Sequence, residues 1–462
     1  MLTSVLMQIS SIIYAVEWES LGRTQHDNIC NFYFLKSGTV FALTKPTLVY
    51  KSAGVLDVYA LERYDGDGKW TTVNQTVLYP SVAITSDDAI LMEVGSSVQR
   101  SNDEGMTWSI VSDSLHVSYI HTINVSPSGA IFLGANGNPP DYRSLDNGLT
   151  WNPIDIPYQA KFYYFVGDQI ILAGLTTGIF PNPIGHLYRS EDGGDTWLKV
   201  KDFIPYTKNY HAATTSDGVI FLSATTSNGM GGNIYRSNDA GKNWQILESG
   251  LPEIDVSGIS AYDETTVFIS FIGGGIYRTT NGGELWTHIS ENLPHQNTGM
   301  PVTTMDGGVY FSVQEEGVFR SKDIGNSWEN VLQQDTGIYS LKEGPNGSLY
   351  VGTLNGNVFR TKIEPNTIGS SQGSNVFFIL KSPYPNPFNP ATTIEYSLSQ
   401  NSLITLSIYN ISGQRVIVLK DEYQPVGNYT ATWDAKGFPS GLYFCIMEAN
   451  GFCQTKKMLL LK

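Results

Sequence analysis

A short pattern that recurs through the body of this chain constrains its fold more than any other feature. It reads aromatic or apolar, Arg, Ser or Thr, any residue, Asp, any residue, Gly, any two residues, Trp. The tryptophans at positions 70, 108, 151, 197, 244, 286 and 328 are 38 to 47 residues apart. That period fits four short β-strands with their turns, which is the size of one β-propeller blade.

Six copies carry the whole pattern, one of them with Asn in place of Asp. Their defining residues are Ser101, Asp103, Gly105 and Trp108; Ser144, Asp146, Gly148 and Trp151; Ser190, Asp192, Gly194 and Trp197; Ser237, Asp239, Gly241 and Trp244; Thr279, Asn281, Gly283 and Trp286; and Ser321, Asp323, Gly325 and Trp328. A degenerate copy at 65–70 has Arg63 where the Ser should be, and Phe359-Arg360-Thr361 stops before any Trp.

The pattern resembles the Asp-box (bacterial neuraminidase) repeat, and the resemblance implies a β-propeller. The Ser hydroxyl and Asp carboxylate can hydrogen-bond backbone groups in the turn, the Gly permits a positive φ, and the Trp can pack between blades. A catalytic constellation occurs once in a protein, whereas this motif occurs in nearly every blade. We therefore interpret it as a structural turn and not as a catalytic site.

The ends of the repeat array predict how the ring is completed. The last repeat predicts three strands, 338–342, 348–353 and 357–361, without the fourth strand that carries Trp. The segment Val16–Leu21 contains Trp18 and is a candidate for that fourth strand, which would remove the exposed edges of an open ring. Counting Trp18 gives eight blades. Seven remains an alternative because the segment 31–73 is irregular.

The residues from Pro383 onward form a distinct tail after a Gly/Ser-containing linker at 363–382. The tail opens with Tyr384-Pro385-Asn386-Pro387-Phe388-Asn389-Pro390, continues through a segment at 408–416 and Trp433-Asp434, and ends with Lys456-Lys457 and an apolar run. Strands are predicted at 393–397, 403–409, 427–434, 441–448 and 452–461, which implies a small antiparallel β-sandwich. This tail resembles the type IX secretion (Por-type) sorting domain. The resemblance implies recognition by that machinery and a secreted or outer-membrane surface location. A fibronectin-like accessory module is the alternative.

The first residues favour an exported protein, whereas the spacing of the three cysteines favours free thiols. Residues 1–15 are apolar and end in a small residue, but they lack a basic start, so we interpret them as a remnant signal peptide. An ordinary N-terminal strand is the alternative. Cys30, Cys445 and Cys453 do not form a disulfide framework, and a turn at Asn450-Gly451 would place Glu448, not Cys445, opposite Cys453.

Charge and arginine usage exclude several function classes. The net charge is −15, and an acidic body should repel nucleic acid. A sialidase needs three arginines around the substrate carboxylate. Seven of the arginines occupy the same repeat position and Arg415 lies in the tail, so only Arg23 and Arg63 remain. Sialidase activity is therefore not expected. No zinc-ligand spacing occurs, and no metal or cofactor is predicted.

The loops between second and third strands should open on the face opposite the Asp-box turns. They are long in three consecutive repeats, at 135–141, 175–185 and 225–232. The candidate ligand-binding residues in and near them are Tyr119, His121, Asn136, Asn138, Asp141, Tyr163, Tyr210, His211 and Asn228. Such a polar, aromatic-lined region suits a glycan or a peptide, with solvated surface loops as the alternative.

These features predict an exported, non-enzymatic binding propeller for a glycan or a protein partner. The alternative is a secreted glycoside hydrolase of xyloglucanase type, which needs two facing carboxylates. No catalytic pair can be assigned from the sequence. A scaffold in a larger surface assembly is a third possibility.

Overall fold

The computed structural model describes residues 16–362 and 378–461, apart from short internal segments. The internal segments outside the description are 46–48, 52–53, 57, 78–79, 113–114, 116, 138–140, 178–183, 206, 216–217, 227–231, 248–249, 264, 292, 294–297, 305–307, 335, 346, 381–382, 399–401, 412–413, 425–426 and 450–451. The predicted signal-peptide remnant, most of the predicted linker, and the candidates Asn138 and Asn228 therefore lie outside the described residues. The chain divides into two compact units, Met1–Lys362 and Ile363–Lys462.

The first unit is built from strands alone in its described part. In chain order they are β1 (Trp18–Arg23), β2 (Ile29–Phe34), β3 (Val40–Thr44), β4 (Val49–Lys51), β5 (Gly54–Leu56), β6 (Val58–Gly66), β7 (Lys69–Val77), β8 (Val82–Ile84), β9 (Ile90–Val94), β10 (Ser97–Ser101), β11 (Ser109–Ile110), β12 (Val117–Val125), β13 (Ile131–Gly137), β14 (Asp141–Ser144), β15 (Asn152–Ile154), β16 (Ala160–Phe165) and β17 (Ile171–Thr177). They continue with β18 (Ile184–Ser190), β19 (Leu198–Pro205), β20 (Thr207–Thr214), β21 (Ile220–Thr226), β22 (Gly232–Ser237), β23 (Gln245–Leu247), β24 (Val256–Ala261), β25 (Val267–Phe271), β26 (Gly275–Thr279), β27 (Thr287–His288), β28 (Val302–Thr303), β29 (Val309–Val313), β30 (Gly317–Ser321), β31 (Glu329–Gln333), β32 (Ile338–Glu343), β33 (Leu349–Thr353) and β34 (Asn357–Thr361).

These strands form eight four-stranded antiparallel sheets, so the all-β propeller fold is confirmed. Blade 1 contains β2, β3, β6 and β7; blade 2, β8–β11; blade 3, β12–β15; blade 4, β16–β19; blade 5, β20–β23; blade 6, β24–β27; blade 7, β28–β31; and blade 8, β32–β34 with β1. A two-stranded hairpin, β4 with β5, is inserted between the second and third strands of blade 1. This insertion explains the long, irregular spacing before Trp70 and favours eight blades over seven.

Blade 8 combines the two ends of the repeat array. Strand β1 pairs antiparallel with β34, with Trp18 opposite Thr361 and Ser20 opposite Phe359. Just outside the pair, the Lys362 N–H donates to the Glu17 carbonyl at 2.7 Å. The N-terminal segment thus supplies the fourth strand of this sheet.

Burial explains why the second strand of each blade is apolar on both faces. In β21, Ile220, Phe221 and Leu222 are all fully buried, because side chains of either face pack against a neighbouring blade. One apolar cluster lies between each pair of consecutive blades. A further cluster packs Tyr350 of blade 8 against Ile29 and Phe32 of blade 1.

The second unit contains two antiparallel sheets. Its strands are β35 (Phe378–Leu380), β36 (Ala391–Leu398), β37 (Ser402–Asn410), β38 (Arg415–Gln424), β39 (Gly427–Asp434), β40 (Gly441–Ala449) and β41 (Phe452–Leu460). One sheet has the order β35-β36-β39 and the other β38-β37-β40-β41. Glu448 lies opposite Cys453 in the register of β40 and β41, as the turn position predicts.

Two strands of this unit, β35 and β38, were not predicted from the sequence. Strand β38 is largely exposed along its length and includes Lys420, Asp421 and Glu422. It forms an edge of its sheet, where charged residues are common because they discourage pairing with other chains. Its composition therefore lacks the apolar alternation that identifies half-buried strands.

Candidate functional site

We call the turn between the third and fourth strands of blades 2 to 7 the box turn. In blade 4, Ser190 Oγ donates to Asp192 Oδ1 at 2.7 Å and accepts from the Gly194 N–H at 2.8 Å. Asp192 also accepts from the N–H and the hydroxyl of Thr196, at 2.9 and 2.6 Å. The Asp carboxylate is thus fully engaged within its own turn.

The same Ser–Asp–Gly geometry recurs in the other box turns, with one local variation. In blade 6, Thr279 Oγ1 donates to Asn281 Oδ1 at 2.8 Å, and Asn281 accepts from the Leu285 N–H at 3.0 Å. Position 285 has no hydroxyl, so the second acceptor oxygen of an aspartate would have no equivalent donor there. The absence of the Asp at position 281 therefore matches the absence of a hydroxyl at position 285.

Each box turn also contacts the preceding blade. The box glycines have positive φ, for example +96° at Gly194, and a Cβ added there would lie 2.6 Å from the Phe132 ring of blade 3. The residue before each box glycine is also left-handed. In four of the six box turns its carbonyl accepts from the repeated arginine of the preceding blade, and in the box turn of blade 2 it accepts from Arg63 of blade 1. These bonds are Arg63 to Glu104, Arg100 to Asn147, Arg143 to Gly193, Arg189 to Ala240 and Arg278 to Ile324.

The tryptophans of several repeats make a second bond between blades. The indole N–H of Trp108 donates to the Val73 carbonyl at 2.9 Å, and that of Trp151 donates to the Val111 carbonyl at 3.0 Å. Trp328 donates to Ile289 in the same way, at 3.0 Å. The repeated Arg and Trp therefore connect neighbouring blades, which accounts for their fixed position in the pattern.

The opposite face holds a different group of polar residues, in blades 3 and 4. His121 Nε2 lies 2.7 Å from Asn136 Oδ1, 3.0 Å from Gln159 Oε1 and 2.7 Å from Lys161 Nζ. The Tyr119 ring contacts the His121 ring edge-to-face at 4.8 Å. We call Tyr119, His121, Asn136, Tyr158, Gln159, Lys161 and His186 the His121 surface.

An exposed aromatic side chain adjoins this cluster along the chain. Tyr158 precedes Gln159, is 47% exposed, and stacks on the His186 ring with centroids 6.4 Å apart. His186 Nδ1 lies 2.5 Å from Asp202 Oδ1, which fixes the orientation of the imidazole under the Tyr158 ring. The exposed Tyr158 ring thus rests on an oriented His186 ring, and the next residue along the chain, Gln159, contacts His121.

Sequence reasoning missed Tyr158, Gln159, Lys161 and His186. A single Gln or Lys at the start of a strand carries no periodic signal. Only the position of the segment 158–161 could have indicated these residues. The segment leads into β16, the first strand of blade 4, on the same face as the long loops. The strands also extend further into those loops than predicted. The loop predicted at 175–185, for example, is shortened at both ends, since β17 ends at Thr177 and β18 begins at Ile184.

Three of the predicted ligand-binding residues are corrected by their burial. Asp141 is fully buried and accepts from the Ala135 and Ala160 N–H groups, at 3.1 and 2.9 Å, and from the Tyr163 hydroxyl at 2.5 Å. Tyr163 is buried with it. Tyr210 is also buried, and its ring stacks on Phe162 at 5.4 Å. These three side chains are buried and do not reach the protein surface.

His211 lies on β20 in blade 5 and is not joined to the His121 surface. Its backbone N–H donates to Ser223 Oγ at 3.2 Å, and burial lowers the pKa of its imidazole. The His211 side chain is half-buried, and among the described residues no hydrogen bond joins it to the His121 surface.

The charge states of the His121 surface follow from partial burial. Burial lowers the pKa of His121, with a contribution from the charge of Lys161, against the hydrogen bonds of Asn136 and Gln159. Burial also lowers the pKa of Lys161 to about 8, while the charge of Asp141 opposes the shift. The contacts of Asn136, Gln159 and Lys161 all fall on His121 Nε2, which donates to the amide oxygens when it is protonated and accepts from Lys161 when it is not.

The two carboxyl groups behind this face differ from those in the box turns. Burial raises the pKa of Asp141 to about 7, against its hydrogen bonds. Burial likewise raises the pKa of Glu93 in blade 2 to about 7. Both side chains are almost completely buried.

Neither a metal-binding cluster nor a membrane-spanning helix occurs in the part of the chain that the structure describes. That part contains no group of three or more His, Cys, Asp or Glu side chains placed to hold a metal ion. It also contains no helix of the length and apolarity needed to cross a bilayer.

Several solved structures resemble this chain in fold at low sequence identity. YCF48 from Cyanidioschyzon merolae is 17% identical over 61% of this chain and 94% of its own, with a TM-score of 0.40. A virginiamycin B lyase from Staphylococcus aureus is 14% identical over 75% and 99%, with a TM-score of 0.42. A GH74 enzyme from Niastella koreensis is 15% identical over 95% and 73%, with a TM-score of 0.44. These values carry no inference about function.

No curated protein sequence matches the chain. Residues 382–461, by contrast, match the family described as the secretion system C-terminal sorting domain. The predicted type IX sorting tail is thereby confirmed. The match implies interaction with the type IX secretion machinery and export to the cell surface or the medium, so the protein is identified as one that carries a type IX sorting domain at its C-terminus.

Proposed function

We propose that this protein is an exported glycan-binding propeller whose ligand site is the His121 surface. The single observation that carries the proposal is the exposed Tyr158 ring, which stacks on His186 and directly precedes Gln159 in the cluster with Asn136 and His121. The repeats that hold the blades are assigned to the Asp-box class on their residues and turn geometry.

The chemistry of this surface suits a neutral sugar better than a protein partner. An aromatic ring offers an apolar face to the C–H groups of a pyranose, while amide and imidazole groups serve its hydroxyls. The surface is polar and small, whereas the core of a protein interface is apolar and depleted in charge. The acidic body of the chain also disfavours polyanionic glycans.

The hydrolase alternative receives no support from the two buried carboxyl groups behind this surface, and the exposed Asp202 carboxylate beside it contacts His186 and Lys199. Glycoside hydrolysis needs two carboxyl groups that reach the scissile bond. Asp141 and Glu93 are buried, and Asp141 is occupied by two backbone N–H groups and the Tyr163 hydroxyl. Neither carboxyl can approach a glycosidic oxygen from this position.

The proposal is tested by screening the whole protein on a glycan array and then measuring affinity by calorimetry for the best ligand. We expect Tyr158→Ala to weaken binding roughly tenfold, since an aromatic contact contributes about 1–1.5 kcal/mol. The matched control is Tyr339→Ala in blade 8, where the side chain is 55% exposed. This control should bind like the wild type.

Two outcomes would overturn the proposal. One is equal binding by the wild type and Tyr158→Ala, which would place the ligand elsewhere. The other is turnover of the bound glycan, measured by release of reducing ends, that is lost when a carboxylate on this face is replaced.

A further inference from the structure

The opening motif of the sorting domain and its C-terminal strand are far apart in sequence but in direct contact in the folded tail. Asn386 Nδ2 donates to the Lys457 carbonyl at 2.9 Å, and the Leu459 N–H donates to Asn386 Oδ1 at 2.8 Å. One side-chain amide therefore bonds the backbone of β41 in the way a paired strand would.

The backbone of Phe388 adds two further hydrogen bonds, one to β41 and one just beyond the end of that strand. Its N–H donates to the Leu459 carbonyl, and its carbonyl accepts from the Leu461 N–H, both at 3.0 Å. The Phe388 side chain is buried, with its ring 5.3 Å from that of Trp433. The motif is thus anchored in the core while it covers the outer edge of β41.

The other end of the motif is attached to the opposite sheet. Tyr384 and Thr393 exchange two backbone hydrogen bonds of 2.9 Å, and Thr392 Oγ1 donates to the Pro385 carbonyl at 2.8 Å. Thr392 and Thr393 belong to β36, whereas Leu459 belongs to β41 in the second sheet. The opening motif therefore bridges the two sheets of the sandwich.

From this geometry we infer that the export signal is composite: Asn386 is a positioning residue that holds the C-terminal strand in the form that the secretion machinery reads. An edge strand with free N–H and C=O groups is prone to pair with other chains. The Asn386 amide covers that edge and leaves the Lys456 and Lys457 side chains on a strand of defined register. The machinery would then bind a single folded surface made of the opening motif and the lysines of β41, and not a linear peptide.

The motif itself offers a matched control. Asn389 also precedes a proline and is exposed, but no contact ties its side chain to β41 among the described residues. Asn386→Ala and Asn389→Ala therefore make the same chemical change in the same motif, and only the first removes the amide contacts with β41.

The test uses the full-length protein produced in a bacterium with type IX machinery. The exported fraction is measured by immunoblot of cell surface and medium, and the Leu459 amide is followed by hydrogen exchange. For Asn386→Ala we expect a several-fold fall in export and roughly tenfold faster exchange at Leu459, because one hydrogen-bond partner is lost. Asn389→Ala should match the wild type in both measurements.

Two further variants separate positioning from general stability. Ile394→Val weakens the buried core of the tail while leaving the Asn386 contacts in place, so export should remain at the wild-type level. Asn386→Asp keeps the acceptor for the Leu459 N–H but loses the donor to Lys457, so its export should fall between those of the wild type and Asn386→Ala.

The inference is overturned if Asn386→Ala is exported like Asn389→Ala, or if its Leu459 exchange is unchanged. It is also overturned if Ile394→Val loses export as strongly as Asn386→Ala, because export would then follow tail stability alone. None of these results depends on whether the propeller binds a glycan.

Discussion

The box turns and the interior of the opposite face both contain aspartates that accept hydrogen bonds, but the origin of their partners differs. Asp192 accepts only from residues within four positions of itself. Asp141 accepts from Ala135, Ala160 and Tyr163, which belong to two blades. The first arrangement repeats in the five box turns that contain an aspartate, whereas the second joins blades 3 and 4.

The pKa values of these groups differ in the same way. Burial would raise the pKa of Asp192, but hydrogen bonds from Thr196 and Ser190 lower it to about 2. The pKa of Asp141 is raised to about 7 because burial outweighs its hydrogen bonds. Repeated carboxylates in this protein therefore stabilise turns locally, whereas the unrepeated Asp141 carboxyl joins two neighbouring blades.

The largest expected effect concerns the contact of a box turn with the preceding blade. Gly194→Ala places a Cβ 2.6 Å from the Phe132 ring at a φ of +96°, so we expect the free energy of unfolding to fall by about 3–5 kcal/mol from strain and overpacking together. Gly38→Ala is the control, because its φ is +93° but nothing lies within 4 Å. It should cost only about 1 kcal/mol, from backbone strain alone. Equal losses in urea unfolding would show that packing on blade 3 contributes nothing.

Replacement of the carboxyl group behind the His121 surface tests the other side of the comparison. In Asp141→Asn one acceptor oxygen becomes an amide, so a buried N–H group loses its partner and the free energy of unfolding at pH 5 should fall by about 1–3 kcal/mol. The pH profile should also change. The folded pKa of about 7 exceeds the ordinary 3.8, so the contribution of Asp141 is fully present below pH 4 and is lost as the pH rises through 7.

Urea unfolding at several pH values between 4 and 8 would check this expectation. The free energy of unfolding of the wild type should fall as the pH rises from 4 to 8, because the contribution of Asp141 is lost. The free energy of unfolding of Asp141→Asn should depend less steeply on pH. An identical slope in the two proteins would contradict a buried, protonated Asp141.

Asp192→Asn should show the opposite pH signature with a smaller effect. The folded pKa of about 2 lies below the ordinary 3.8, so the stabilisation is present above pH 4 and is lost as the pH falls through 2. We expect the variant to lose about 1 kcal/mol at pH 7, where the charge-assisted bonds are removed, and almost nothing at pH 2. Unfolding followed by circular dichroism between pH 2 and pH 7 would check this expectation. A loss of stability that is the same at every pH would contradict it.

The smallest effect is a gain in blade 6. Installing the aspartate and the hydroxyl together, as Asn281→Asp with Leu285→Thr, should raise the free energy of unfolding by about 0.5 kcal/mol. Each single change should be neutral or slightly destabilising, since neither completes the pair. A double-mutant cycle measures the coupling directly, and a coupling of zero would mean that the Asn281 and Leu285 exchanges are unrelated.

Much of the fold was accessible from the sequence because the determinants are local and repeated. The strands predicted for the last repeat agree with β32 to β34 within a residue or two, and the lone N-terminal segment pairs with β34. The sorting tail was recognised because its motifs occur in order. The strand β38 was missed because an exposed edge strand has no apolar alternation.

The candidate site was predicted only in part, and the reason is physical. Tyr119, His121 and Asn136 do meet, but Gln159 and Lys161 join them from the next blade, and Asp141, Tyr163 and Tyr210 turn inward. Repetition along the chain determines the blade, its turns and its Arg and Trp bonds, because each depends on neighbours a few residues away or on the identical register of the next copy. Which polar side chains become exposed depends on how two blades pack, since burial and long-range partners exist only in the tertiary structure.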